Sequence, residues 1–99
     1  MEVTKTKTGD TLILRINGKL SAATAEAFNA EVEEAIAESN HIEMDFTEVS
    51  YMASAGLRVL IAAQKKLNAC DGALALRNVG EDILEVFEVT GLNEVFDIQ

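Results

Sequence analysis

The sequence predicts an α/β fold: a mostly parallel central sheet, an N-terminal antiparallel hairpin and three helices, in the order β-β-α-β-α-β-α-β. Three observations lead there. Past the first hairpin, short apolar runs that alternate with period two take turns with longer stretches of helical period. Turn-forming pairs (Gly9-Asp10, Asn17-Gly18, Ser39-Asn40 and Asp71-Gly72) punctuate them. The 99 residues are 48% apolar and 25% charged with no proline, which suits one small domain over residues 1–99 that can bury a single core.

Two strands flank Gly9-Asp10. Val3, Lys5 and Lys7 alternate with threonines in the first; Leu12, Leu14 and Ile16 alternate with Ile13 and Arg15 in the second, which reads as the more buried. Asn17-Gly18 is expected to end it. "SAATAEAFNAEVEEAIAES" is helical on Phe28, Val32, Ala35 and Ile36, with Ser21 or Thr24 as its cap. A strand from Ile42 to about Phe46 follows, and "TEVSYM" reads as a short irregular run. From Ser54 or Ala55 a second helix runs to about Ala69 on Leu57, Leu60, Ile61, Gln64 and Leu67, its apolar face widened by Val59, Ala62 and Ala63. "ALALRN" is a fourth strand. "VGEDILEVFEV" is a third helix with Val79, Ile83, Val86 and Phe87 inward, ended by Gly91, and "EVFDI" is a last short strand.

Charge narrows the function. A net charge of −9 and a pI near 4.4 repel a phosphate backbone, and no Lys/Arg stripe offsets this, so nucleic acid is excluded as a partner. Anionic membrane surfaces are disfavoured for the same reason. No apolar run approaches the ~20 residues that span a bilayer, and "EVTKTKTGD" after Met1 lacks the apolar centre of a signal peptide. The lone Cys70 forms no internal disulfide and reads as a small apolar filler. A cytoplasmic location is expected.

Catalytic, cofactor and metal sites find no support. Ser54 lies outside a Gly-x-Ser-x-Gly elbow, and the only histidine, His41, starts the strand whose far end leads to Ser54. A five-residue strand would hold the two roughly 15 Å apart. His41 and Cys70 lack ligand-spaced companions, and the glycines are isolated rather than gathered in a phosphate loop. Glu81-Asp82 decorates the start of a helix.

Ser54 is the residue of interest. As an N-cap it would serve the helix and nothing more, a role whose loss costs about 1 kcal/mol. The same place exposes a hydroxyl beside free amides at the positive end of a helix, where an added phosphate could be held. Ala53, Ala55 and Gly56 are small enough for a partner to approach, and Met52 and Leu57 offer flexible apolar contacts.

"DFTEVSYMASAGLRVLIAAQKKL" resembles the phosphorylation segment of bacterial anti-sigma factor antagonists in the STAS domain family, with Asp45, Tyr51, Met52, Ser54, Gly56 and Leu57 in register. Leu14, Gly18, Leu20 and Thr24 are similar to the family's strand, turn and first helix start. Val79, Phe87, Thr90-Gly91-Leu92 and Phe96 are similar to its closing region. The likeness covers nearly the whole chain.

It implies a binding protein, not an enzyme. The unmodified antagonist binds an anti-sigma factor that is also a serine kinase, which frees a sigma factor for transcription. That kinase phosphorylates the serine matching Ser54 and so breaks the complex, and a PP2C-type phosphatase reverses the step. Contacts are expected from Ser21, Thr24, Met52, Ala53, Ser54, Ala55, Gly56, Leu57 and Arg58, with no cofactor and with the free protein a monomer. Two positions depart from the pattern: Ala53 and Ser21 stand where the family has aspartate. Both favour the alternative, a constitutive STAS scaffold or accessory subunit of a signalling or lipid-transport complex in which Ser54 only caps a helix.

Overall fold

The first strands form as their alternation demands. β1 (Glu2–Thr8) and β2 (Thr11–Leu20) pair antiparallel across the Gly9-Asp10 turn, from Thr8 opposite Thr11 to Glu2 opposite Asn17. The computed structural model describes all residues, Met1–Gln99. β3 (His41–Met52), β4 (Ala73–Arg77) and β5 (Asp97–Ile98) then add in turn, each parallel to its neighbour, in the order β1-β2-β3-β4-β5. α1 (Ala25–Glu38), α2 (Ser54–Ala69) and α3 (Glu81–Thr90) make the three crossovers. The mostly parallel sheet, its antiparallel hairpin and the element order are those expected.

Crossovers of one hand that advance one strand at a time, as the strand order does here, keep helices on one side of a sheet. The burial pattern agrees. Leu12, Ile42 and Leu74 lie side by side in the register, as do Leu14, Met44 and Leu76, and all six are buried. The residues between them, Ile13, Arg15, Glu43, Asp45, Ala75 and Arg77, are half-buried or exposed. One core of 21 apolar residues lies under the helices, which contribute Phe28 and Val32 from α1, Leu60 and Leu67 from α2, and Ile83 and Phe87 from α3. Phe87 packs on Phe96 with ring centroids 5.4 Å apart. Ion pairs from Lys5 to Glu34 and from Lys66 to Glu33 tie α1 to β1 and α2; exposed pairs of this kind orient elements more than they stabilise them.

Several expectations are corrected. β3 does not stop near Phe46 but continues through "TEVSYM" to Met52. Its pairing with β2 slips twice, between Arg15 and Asn17 and again between Gly18 and Lys19, and each time β3 carries one residue more. The first bulge turns odd-numbered Val49 toward the core, and the second, which skips Ser50, turns even-numbered Met52 back inward. Alternation therefore breaks in the sequence although the strand does not. Asn17-Gly18 likewise does not end β2. Gly18 sits inside the strand at φ +114, which suits glycine at an irregularity, and a Cβ there would lie 3.1 Å from Met1 Cα. α1 starts only at Ala25, and "EVFDI" supplies just a two-residue β5 after a 3₁₀ turn at Leu92–Glu94. Ala62 and Cys70 are exposed rather than packed, because α2 turns those positions away from the sheet.

Candidate functional site

The parallel strands β2 and β3 end together at one pole of the sheet, with Leu20 paired in register with Met52. The chain leaves β3 through Ala53, whose N–H donates to Leu20 O at 2.8 Å, and turns at once into α2. The N-cap is therefore Ala53, in extended conformation, and no side chain caps the helix. Ser54 is the first helical residue. This corrects the capping role: its exposed hydroxyl is one position too late to serve as the N-cap. Gly56 N–H and Leu57 N–H both donate to Ala53 O, at 3.0 and 3.2 Å. The two amides before them, of Ser54 and Ala55, have no carbonyl a turn earlier to bond within the helix.

The β2–α1 connection borders the same pole. Thr24 precedes α1 in the cap position but does not cap it. Its Oγ1 donates to Lys19 O at 2.7 Å and accepts from Ser21 N–H at 2.9 Å, which folds the Ser21–Thr24 turn back on the end of β2. Gly56 packs against Leu20, where a Cβ would lie 3.1 Å from Leu20 Cβ and 3.2 Å from Leu20 O. Leu20 is thus the common support that brings Ser21, Thr24 and the start of α2 together.

The expected contact residues divide by depth. Ser54 and Arg58 are exposed; Ser21, Thr24, Ala53 and Ala55 are half-buried. Met52 and Leu57 are only 7% and 8% exposed, and Gly56 is buried, so these three build the platform beneath the hydroxyl rather than flexible contacts beside it. The reason is the second bulge and the helix phase, which together aim Met52 and Leu57 at the core. Tyr51 is the residue that sequence reasoning used only as a family match. It is 52% exposed next to this pole, opposite Lys19 in the register. The sequence carries no signal for this: Tyr51 shares the parity of the inward Val49, and only the second bulge turns its ring to solvent.

Asp45 lies farther back on β3, seven residues before Met52. It accepts hydrogen bonds from Thr47 N–H at 2.9 Å, from Thr47 Oγ1 and from Asn78 Nδ2 at 3.1 Å, joining β3 to the β4–α3 loop. Partial burial opposes its ionisation, but these donors and the nearby Arg15 outweigh that and hold its carboxyl below the ordinary range.

His41 opens the 12-residue β3 and Ser54 follows its end, so the histidine stands even farther from the hydroxyl than a five-residue strand would place it. No group of three or more His, Cys, Asp or Glu could hold a metal ion, and no helix is long and apolar enough to cross a membrane. What this pole offers is an exposed hydroxyl on a rigid helix start, among small residues. Such an arrangement can receive a partner protein or a phosphate.

Comparison with known proteins places these features in context. A family model described as the STAS domain matches residues 2–99. An anti-sigma-B factor antagonist of Listeria monocytogenes is 31% identical over 96 residues, which are 96% of this chain and 84% of the relative. A solved anti-sigma factor antagonist from Mycobacterium paratuberculosis superposes with a TM-score of 0.89 at 19% identity, covering 98% of this chain and 83% of that one. The Bacillus cell fate determinant SpoIIAA in its phosphorylated form gives 0.76 at 24% identity, covering 99% and 91%.

Proposed function

The chain belongs to the STAS domain family, and from that membership we propose that it is an anti-sigma factor antagonist switched by phosphate on Ser54. Unmodified, it binds an anti-sigma factor with serine kinase activity and so frees a sigma factor. The kinase then phosphorylates Ser54 and the complex parts; a PP2C-type phosphatase restores the hydroxyl. The protein is binding partner and phosphoacceptor, not catalyst. It works in the cytoplasm, as a monomer when free and without a cofactor.

The observation that carries this reading is the place of Ser54, exposed at the first position of α2 and outside the cap position that Ala53 fills. A phosphate there would bring roughly two negative charges into a surface fitted to a small neutral group. Repulsion and desolvation would then oppose rebinding. A constitutive scaffold with Ser54 as a cap loses support for the same reason, since the hydroxyl is not where a cap would be.

The test is intact mass and peptide mapping of the protein from its native cells beside a Ser54→Ala variant. One phosphate on Ser54, absent from the variant, is expected. Ser54 unmodified under every growth condition would instead favour the scaffold.

A further inference from the structure

Carboxylates outnumber cations in this chain by seventeen to eight. Two of its three arginines are paired accordingly: Arg15 lies 3.6 Å from Glu48 and Arg77 lies 3.1 Å from Glu43. The third, Arg58, takes part in no ion pair and is exposed. It stands four residues after Ser54 on the same helix, and the first turn of α2 contains no acidic residue. Residues four apart are neighbours on a helix, with Cβ atoms about 5–6 Å apart. The later of the two leans back over the turn that holds the earlier. An arginine without an ion pair thus stands one helical turn from Ser54 on the same face of α2.

Resting on the reading of Ser54 as phosphoacceptor, we propose that Arg58 is the intramolecular partner of that phosphate. The planar guanidinium can donate to two phosphate oxygens at once, which a lysine ammonium cannot match. Phosphorylation then alters the docking surface twice. It adds a dianion, and it withdraws the one unpaired arginine from any carboxylate a partner presents. Arg58 is a positioning residue for the phosphate and part of the switch.

The experiment installs phosphoserine at position 54 by genetic encoding, so that no kinase is needed. The change in melting temperature on phosphorylation is compared in the unsubstituted chain and in Arg58→Gln. At low ionic strength that change should be more favourable with arginine by about 3 °C, the size expected for an exposed helical ion pair in a domain of this length. Arg58→Lys should recover part of it. The Arg58 Nε–Hε resonance should also move when Ser54 is phosphorylated. Equal melting shifts with and without the Arg58→Gln substitution, or an unmoved resonance, would overturn the proposal. Neither result bears on whether cells phosphorylate Ser54, which the mass measurement decides separately.

Discussion

Gln64 is the one buried residue with a polar side chain. Its Nε2 donates to Asn68 Oδ1 at 3.0 Å, but its Oε1 is buried with no partner. A buried acceptor left unpaired costs about 1–3 kcal/mol. Gln64→Leu, similar in reach and suited to the surrounding core, should therefore raise stability by about 1 kcal/mol in urea denaturation, with an unchanged m-value. A loss of stability would show that the amide does more for α2 than its hydrogen bonds account for. At Ser54 the residue scale gives the opposite lesson: a hydroxyl that performs no capping at its own helix is free to serve a partner.

At the scale of elements, the site depends on how α2 leaves β3. Ala53 is tied to Leu20 through the backbone, and Gly56 allows the first turn of α2 to lie against that same residue. A methyl group at position 56 would press on Leu20 O, which cannot retreat while it accepts from Ala53 N–H. Gly56→Ala should therefore lift the start of α2 and cost about 1–2 kcal/mol. A thermal melt measures the loss. If the switch operates, phosphorylation of Ser54 should slow in the same variant, because the hydroxyl moves with the helix. Unchanged stability would show that the first turn tolerates the methyl and that Leu20 is not its rigid support.

For the whole molecule, Asp45 links the sheet to the loop before α3, where Asn78 adopts a left-handed conformation at φ 57. Its carboxyl is held below the ordinary range: burial resists ionisation, but Thr47, Asn78 and Arg15 together prevail. Glu33 is lowered too, by its hydrogen bond and charge pairing with Lys66. A group with a lower pKa in the folded state binds fewer protons there than when unfolded. Its contribution is thus complete above the unfolded carboxylate range near 4 and is lost as pH falls through the folded value. Melting temperature should decline below about pH 4–5, and Asp45→Asn should show a shallower decline. Equal acid limbs in the two proteins would mean that the Asp45 network adds nothing to folding.

The sequence by itself determined the element order and the single apolar core, and it singled out Ser54 as the candidate, because each rests on local periodicity, composition or a contiguous motif. Val3 to Ile16, Phe28 to Ile36 and Leu57 to Leu67 announce their elements in the spacing of their own side chains. Tertiary structure alone decided what happens between Phe46 and Arg58. There the two bulges of β3 exist only because β2 pairs beside it, and they choose which of Val49, Tyr51 and Met52 face the core. The same pairing brings Leu20 under Gly56, makes Ala53 the cap and leaves the Ser54 hydroxyl exposed. Register between strands is a long-range property, set by hydrogen bonds and packing between segments distant in the chain, and periodicity within one strand does not contain it.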